Sequence, residues 1–127
     1  MYNIIFGNNN SFHWLIYKDN TPVGIICADR EQEEINAIEL SYNIHPNYWR
    51  RGIAKTAVEL VMKFLFTDYA YKNIKAGYCT GNEKSRKLIE KLGFKQYKVN
   101  KNAYKRYNKK VDEYVFILSK EDWSNYN

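Results

Sequence analysis

The stretch Trp49-Arg50-Arg51-Gly52-Ile53-Ala54-Lys55-Thr56 lies where the chain changes from one periodicity to another. Before it, apolar and polar residues alternate along Ile35–Ile44, which is typical of a strand. After it, apolar residues recur at helical spacing along Arg51–Phe66. The stretch is therefore predicted to lead the chain from a strand into a long helix.

A turn of this composition is suited to binding an anion. The start of a helix leaves about four N–H groups without partners, and these carry a partial positive charge. Gly52 and Ala54 keep the space in front of those groups clear, while Arg50, Arg51 and Lys55 add positive charge. The pattern is neither the dinucleotide-binding glycine motif nor the P-loop. These residues alone leave open a phosphate cradle and an ordinary helix start with surface arginines.

The segments on either side predict a sheet with helices packed on it. Upstream, Phe12–Lys18 and Val23–Ala28 form a predicted hairpin, and Tyr2–Phe6 is a candidate for a further short strand. Downstream, the predicted elements are strands at Ile74–Cys79, Phe94–Val99 and Val111–Leu118 and a helix at Glu83–Leu92 closed by Gly93. A basic, tyrosine-rich connection is predicted between the last two strands. Meander strands followed by two strand–helix–strand crossovers predict an α+β fold with a mixed sheet in a single domain, residues 1–127.

Composition and charge narrow the class of protein. The chain has 127 residues, 45% of them hydrophobic, so it is expected to fold. Its net charge of +6 indicates an anionic partner (nucleic acid, a membrane surface or a phosphate-rich cofactor) or simply a basic surface. No apolar run approaches the roughly 20 residues of a membrane span. Met1–Asn10 lacks the pattern of a secretory signal, so we expect a cytoplasmic protein. Cys27 and Cys79 lack metal or disulfide spacing, and Cys27 is expected to be a small buried hydrophobe.

A second motif follows about thirty residues after the turn. Asn82–Phe94 begins with a polar cap, continues as a helix and closes on Leu-Gly-Phe. Together with His45-Pro46 and Trp49–Ala54, it resembles the GNAT superfamily of N-acetyltransferases, whose acetyl-CoA motif is [RQ]-x-x-G-x-[GA]. Trp49 in place of the usual Gln or Arg is similar to the Rim-type branch, which acetylates ribosomal-protein N-termini. The resemblance covers roughly residues 12 to 120.

The resemblance implies a GNAT-like acyl-CoA N-acyltransferase fold, with acetyl-CoA as cosubstrate and no metal. The strand ending at Ile44 would splay from Ile74–Cys79, and the pantetheine arm would lie in the gap. The pyrophosphate would bind the amides of Arg51–Thr56. The residues that the resemblance places against the coenzyme are Tyr42, Asn43, Ile44, Arg50, Arg51, Gly52, Ile53, Ala54, Lys55, Thr56, Asn82, Ser85 and Arg86.

The implied reaction is direct attack of a primary amine on the thioester. The amine belongs to a protein N-terminus, a lysine or a small molecule. With a pKa of about 10.4 it must lose a proton before attack. Glu39 is the candidate base because it shares a strand face with Ser41 and Asn43, and pairing of Glu39 with a lysine is the alternative. Backbone N–H groups near Asn43–Ile44 are expected to polarise the thioester carbonyl.

The proton for the leaving thiolate has no obvious donor. Many relatives place a tyrosine on the second helix, but here that position is Ile89. Ser85 or water is therefore the remaining candidate acid. Tyr42 and Tyr78 are weaker alternatives, because each is more readily interpreted as core or cleft lining.

Family members usually carry two additional helices before the segment that matches Phe12–Ala28, and here only Met1–Ser11 precede it. The acceptor pocket is therefore expected to be open, to be supplied by a second copy in a homodimer, or to be lost. A non-catalytic acyl-CoA-binding protein is the alternative function. A nucleic-acid-binding module is a third, because Lys95–Lys110 interleaves tyrosines with basic residues. For those tyrosines (Tyr97, Tyr104 and Tyr107) we favour packing within strands.

Overall fold

One seven-stranded sheet organises the structure, a computed structural model that describes residues 2–7, 11–30, 36–48, 51–79 and 82–126. The strands are β1 (Tyr2–Gly7), β2 (Ser11–Lys18), β3 (Thr21–Arg30), β4 (Ala37–Ile44), β5 (Asn73–Cys79), β6 (Lys95–Arg106) and β7 (Lys109–Ser119). The helices are α1 (Ile53–Thr67), α2 (Glu83–Lys91) and α3 (Lys120–Tyr126), with a 3-10 turn at Pro46–Tyr48. The strand order is β1-β2-β3-β4-β5-β7-β6, with only β4 and β5 parallel. The predicted mixed, mostly antiparallel sheet is confirmed.

The hairpin of β2 and β3 follows from a period-two pattern and a suitable turn. Phe12, Trp14 and Ile16 are buried, while the residues between them are only partly buried. At the turn, Asp19 and Asn20 have φ angles of 50° and 70°. Asp and Asn tolerate this left-handed conformation, which matches the right-handed twist of the two strands.

The helices all pack on one face of the sheet, which we call the helix face. Helix α1 contributes Ala57, Val58, Val61, Met62, Leu65 and Phe66, all buried and all at helical spacing. They pack in one core with Ile38, Leu40, Ile74 and Ala76 of the central strands. Full burial of one such large side chain stabilises the fold by about 1.5–3 kcal/mol. Residues that alternate with these strand positions, among them Cys27, Glu39, Ser41 and Lys75, lie on the opposite face, which we call the second face.

Helix α3 was not predicted from the sequence, because Lys120–Tyr126 is short and mostly polar. An aromatic contact ties it to the core, since the ring of Trp123 lies 5.0 Å from the ring of Phe66 in α1. Among the helices of the described residues, none is both long and apolar enough to cross a membrane.

The predicted connection between the last two strands was wrong. Strands β6 and β7 run through this segment to a two-residue turn at Tyr107–Asn108, which has φ angles of 51° and 62°. Backbone pairing between neighbouring strands does not require apolar side chains, so a polar segment forms a ribbon that hydropathy does not reveal. Tyr107 is 88% exposed, so the expectation that it packs within a strand was also wrong.

Candidate functional site

Strands β4 and β5 are paired for only part of their length. Their register runs from the Ala37–Asn73 rung to the Leu40–Ala76 rung. Beyond it, β4 continues to Ile44 on its pairing with β3, and β5 continues to Cys79 on its pairing with β7. The two central strands therefore diverge and open a gap, with the backbone edge of residues 41–44 along one side.

Gly24 of β3 allows the end of β4 to approach closely at this gap. A Cβ at Gly24 would lie 2.6 Å from the carbonyl oxygen of Asn43 and 2.6 Å from the Cδ1 atom of Ile44. The Asn43 carbonyl is backbone, so it cannot move without shifting β4. Gly24 was not identified from the sequence, because its role depends on the pairing of β3 with β4.

The predicted cradle lies at the start of α1. Gly52 is the N-cap, has a φ of 73° and makes no side-chain cap, and the first turn of α1 contains no acidic residue. Among the described residues, nothing lies within 4 Å of where a Cβ of Gly52 would stand. The first-turn amides of α1 thus face a cleared, electropositive space. Trp49 and Arg50, which belong to the predicted motif, lie outside the described residues.

The side chains around the cradle are largely exposed. The guanidinium carbon of Arg51 lies 5.3 Å from the centre of the Tyr48 ring, a cation–π contact that positions Arg51 beside the turn. Lys55 and Thr56 are exposed, while Ile53 and Ala54 are half-buried against the core. Tyr48 was not identified from the sequence, because only the 3-10 turn brings it next to Arg51.

A hydroxyl pair connects β4 to α2 at the gap. The Tyr42 hydroxyl lies 2.9 Å from the Oγ atom of Ser85, and either group can donate. Asn82 fixes this end of α2, since its Oδ1 accepts a hydrogen bond of 3.2 Å from the Ser85 N–H. Burial raises the pKa of Tyr42, while the hydrogen bond to Ser85 opposes that shift. Tyr42 therefore keeps its proton throughout the neutral range.

Arg86 is engaged on its own helix. Its Nε donates to Glu90 at 2.8 Å and its NH1 donates to Glu83 at 3.1 Å, and these bonds raise the pKa of Arg86. The three side chains line a cavity of about 650 Å³ floored by the stacked rings of Tyr78 and Tyr114. No residue of the Arg51–Thr56 cradle lines this cavity. A contact of Arg86 with the nucleotide therefore stays a prediction.

Glu39 lies on the second face, between two charged neighbours. It is half-buried, and its partners in the register are Asp29 of β3 and Lys75 of β5. Lys75 is only 3% exposed, and its Nζ lies 4.9 Å from the centre of the Tyr97 ring. The structure thus places a lysine beside Glu39, as the alternative interpretation of Glu39 as an ion-pair partner required. Glu39 also borders the point where β4 and β5 diverge.

The next rung along the same face brings His13, Cys27 and Ser41 together across three strands. The Cys27 Sγ lies 3.4 Å from the Nδ1 of His13. Burial, followed by the charge of Asp29, raises the pKa of the Cys27 thiol, and the hydrogen bond to Ser41 lowers it. The expectation of a buried core cysteine was wrong, since Cys27 is half-buried and faces polar neighbours. Among the described residues, no three His, Cys, Asp or Glu side chains could hold a metal ion together.

The structure links part of the predicted set directly. Hydrogen bonds join Tyr42 to Ser85 and Ser85 to Asn82 beside the gap, and the cradle follows the end of β4 through the 3-10 turn. Binding of the coenzyme by these residues stays a prediction. Glu39 lies on the second face of β4. Ile89 is 1% exposed and belongs to the core, so α2 offers no proton donor at that position.

Comparison with known proteins points to one family. The sequence model of the acetyltransferase (GNAT) domain matches residues 2–95. The uncharacterized N-acetyltransferase p20 of Bacillus licheniformis is 25% identical over 118 residues, which are 93% of this chain and 66% of that protein. The N-acetylaspartate synthetase of Xenopus tropicalis is 35% identical over 86 residues, which are 67% of this chain and 31% of that protein. The chain thus spans between about a third and two thirds of these relatives.

Solved structures share the fold at low sequence identity. A spermidine N-acetyltransferase (SpeG) mutant from Vibrio cholerae superimposes with a TM-score of 0.86 at 16% identity, covering 94% of this chain and 71% of that one. The ribosomal-protein-S5-alanine acetyltransferase from Vibrio fischeri superimposes with a TM-score of 0.82 at 23% identity, covering 91% and 64%. At this identity the likeness shows the architecture and leaves the substrate open.

Proposed function

Because the chain belongs to the GNAT acetyltransferase family, we propose that it moves an acetyl group from acetyl-coenzyme A to a primary amine. The observation that carries this proposal is the combination of the cradle at Gly52 with the gap between β4 and β5. One offers backbone donors to a diphosphate, and the other opens a space along β4 in which an extended arm would lie. We propose that residues 1–127 act as one domain.

The described residues fit the coenzyme. The left-handed Gly52, with open space at its Cβ position and no acidic residue in the turn that follows, suits the close approach of a diphosphate to the amides of residues 53–55. The predicted Thr56 amide is not available to it, because the Thr56 N–H donates to the Gly52 carbonyl at 3.1 Å. Arg51 lies beside this turn on the ring of Tyr48. The backbone of residues 42–44 would hold the pantetheine arm. Asn82 and Ser85 would contact the arm near its thiol end, and we assign Arg50 and Arg86 to the nucleotide end.

When bound, the coenzyme supplies an activated acetyl group as a thioester with a good leaving group. We assign Glu39 the removal of the proton from the acceptor ammonium, directly or through one water. Support comes from its half-buried position on β4, next to the divergence of the two strands. A backbone N–H near residues 43–44 that points away from β3 would stabilise negative charge on the thioester oxygen.

The hydroxyl pair is the proposed source of the proton for the departing thiolate. Ser85 would donate, Tyr42, 2.9 Å away, would replace the proton that Ser85 gives up, and solvent water would return a proton to Tyr42. Tyr42 is suited to this because burial keeps it protonated. The proposal combines two candidates that the sequence treated as alternatives.

The acceptor is proposed to approach from the second face. All three described helices pack on the helix face, and the Tyr42–Ser85 bridge closes that side of the gap. Asp29 and Glu39, neighbours across β3 and β4, provide carboxylates for a cationic amine. Two proteins of similar fold are named as acetyltransferases of spermidine and of ribosomal-protein-S5 alanine. The Rim-like turn at Trp49 makes a protein N-terminus the first acceptor to test, followed by lysine side chains and small-molecule amines.

A non-catalytic acyl-CoA-binding protein is the second candidate. It is favoured by Ile89, a buried apolar residue where many relatives place a proton donor. The two functions share the cradle and differ in turnover, so binding and turnover must be measured separately.

The test uses the full chain and two assays. Isothermal titration calorimetry with acetyl-CoA should detect saturable binding, and coenzyme A lacking the acetyl group serves as the matched ligand. Release of free thiol should then be followed with three kinds of acceptor: peptides that begin with Ala or Ser, peptides that carry a free lysine side chain, and spermidine. Matched peptides whose lysine is already acetylated serve as the control for the lysine peptides. Binding without thiol release from any amine supports the non-catalytic alternative, whereas no binding by the folded chain contradicts both.

A further inference from the structure

The hairpin of β6 and β7 extends beyond the rest of the sheet. The pairing of β7 with β5 ends at the Cys79–Glu113 rung, and β6 reaches that rung at Asn100. Residues 101–112 therefore form a two-stranded ribbon, which we call the basic ribbon. At about 3.3 Å per residue it projects by roughly 15 Å. Its described side chains from 101 to 110 are all exposed, and those of residues 104 and 106 are not among them.

The ribbon holds much of the positive charge of the chain. It contains five basic residues (Lys101, Lys105, Arg106, Lys109 and Lys110) and one acidic residue, Asp112. Its net charge of +4 compares with +6 for the whole chain. Asp112 lies near the base of the ribbon, 3.3 Å from Lys101, and accepts from the backbone N–H of Asn102 at 2.9 Å. The described lysines at the tip, Lys105, Lys109 and Lys110, thus have no acidic residue of the described ribbon beside them, which suits an external anion.

The register at the tip sets like charges against each other. Lys105 lies opposite Lys110, and Arg106 lies opposite Lys109. Like charges directly opposite each other destabilise a strand pair, so nothing in the stability of the hairpin explains two successive rungs of this kind. An anion bound along the ribbon would remove that repulsion.

The turn that follows the Arg106–Lys109 rung is occupied by an unfavourable residue. Tyr107 and Asn108 both have positive φ, the conformation of a type I′ turn, which favours Asn, Asp and Gly. A bulky residue with positive φ is an outlier. Yet Tyr107 stands here, with 88% of its surface exposed. Strained residues of this kind concentrate at binding sites, where the strain serves recognition.

From these observations we infer that the basic ribbon binds single-stranded nucleic acid, with Lys105, Lys109 and Lys110 on the phosphates and the Tyr107 ring stacked on a base. An exposed aromatic ring flanked by cations provides both elements of single-strand binding. An acidic protein would bind the basic side chains but would have no base to stack on the Tyr107 ring. The contribution of the ring therefore distinguishes a nucleic acid from an acidic protein. The inference is independent of acetyl transfer, because none of the residues proposed for that reaction belongs to the ribbon.

The test is fluorescence anisotropy with labelled oligo(U) RNA and oligo(dT) DNA of about 12 nucleotides, in salt of about 50 mM and above. Both single strands should bind, and more weakly as salt rises. Comparison of the RNA with the DNA shows whether the sugar contributes to binding. A Lys105→Gln, Lys109→Gln, Lys110→Gln variant should abolish most binding. A Lys18→Gln, Lys63→Gln, Lys72→Gln variant, which removes three exposed charges elsewhere, should bind as the parent chain does.

Tyr107→Gly separates recognition from folding. Glycine relieves the turn, so the thermal midpoint should rise or stay constant. In Tyr107→Gly the affinity for the single strands should fall about tenfold, while the dependence of that affinity on salt concentration should stay unchanged. Tyr107→Phe should keep the affinity of the parent chain. Unchanged affinity in Tyr107→Gly would overturn the inference. So would duplex DNA or poly-glutamate binding as tightly as the single strands, the second result pointing to an acidic protein partner instead.

Discussion

The hydroxyl of Tyr42 on β4 lies 2.9 Å from the Oγ atom of Ser85 on α2. The two residues are far apart in sequence and belong to elements on either side of the gap between β4 and β5. The Asn82 side chain caps α2 by accepting a hydrogen bond from the backbone N–H of Ser85. Burial keeps the Tyr42 proton in place. The contact therefore combines a structural bridge with a protonated hydroxyl pair beside the proposed thioester site.

Removing either hydroxyl should slow turnover more than it weakens coenzyme binding. For Ser85→Ala and for Tyr42→Phe we expect kcat to fall about tenfold or more, because general acid catalysis contributes roughly 10²–10⁴-fold. The dissociation constant for acetyl-CoA should change by only a few-fold. Steady-state thiol release and calorimetry measure the two quantities.

The double variant provides the control for this pair. If Ser85 and Tyr42 act in one relay, the double variant should be no slower than the slower single variant. Independent, multiplying losses in kcat would show that the relay does not exist.

The stability of the fold should depend on Tyr42 at alkaline pH. Its pKa is raised in the folded state, mainly by burial, from the ordinary value of 10.0. The folded state thus holds the proton more tightly than the unfolded chain does. The contribution of protonated Tyr42 to the free energy of unfolding is complete below about pH 10, and it is lost as pH rises through the folded pKa.

Urea unfolding across the alkaline range checks this dependence. At neutral pH, Tyr42→Phe should be less stable by about 0.5–1.5 kcal/mol, for the lost hydrogen bond. The difference between the two chains should shrink above about pH 10, since the variant side chain has no proton to lose. Tyr78, whose pKa burial also raises, is present in both chains and cancels. A difference that stays constant with pH would contradict the assignment.

Gly52 should be required for two separable reasons. Its φ of 73° costs a non-glycine residue about 1–2 kcal/mol, and any side chain enters the space proposed for the diphosphate. Gly52→Ala should therefore lose both stability and coenzyme affinity. Gly52→Asn tolerates the left-handed conformation, so its stability should be close to that of the parent chain while acetyl-CoA affinity falls tenfold or more. An Asn variant with normal affinity would place the diphosphate elsewhere.

Replacing the proposed base should reduce turnover without affecting coenzyme binding. For Glu39→Gln we expect kcat to fall by about 10²-fold at unchanged acetyl-CoA affinity. Asp29→Asn, which removes a carboxylate from the neighbouring position on the same face, is the matched control and should affect the KM for a cationic acceptor instead. Full turnover in Glu39→Gln would remove Glu39 from the mechanism.

Cys27 should react slowly with alkylating agents at neutral pH. Its pKa is raised from 9.0 by burial and then by the charge of Asp29, so little thiolate is present. Iodoacetamide labelling of the Cys27 peptide, followed by mass spectrometry, should accelerate only as pH passes about 9. Asp29→Asn should move that acceleration to lower pH. Identical pH profiles in the two chains would show that Asp29 exerts no such influence.

Much of the site could be predicted because its parts are local. The switch from period two to helical spacing locates the turn at Gly52, and the cap at Asn82 precedes a helix closed by Gly93. Such features depend on neighbouring residues and on the conformation each allows, so they are visible in a single chain. The mixed sheet followed in the same way from the order of the elements.

Other parts depend on distances that no local pattern encodes. The Tyr42–Ser85 bridge, the row of His13, Cys27 and Ser41, and the support of Arg51 by Tyr48 arise from strand register and packing. The basic ribbon was taken for a connection, because strand pairing there relies on backbone hydrogen bonds rather than on an apolar pattern. Period and cap residues act within a few positions of the chain, and the sequence by itself determined the turn, helices α1 and α2 and the central strands. Register and divergence between strands are set by the whole core, so only the tertiary structure decided which side chains meet at the gap.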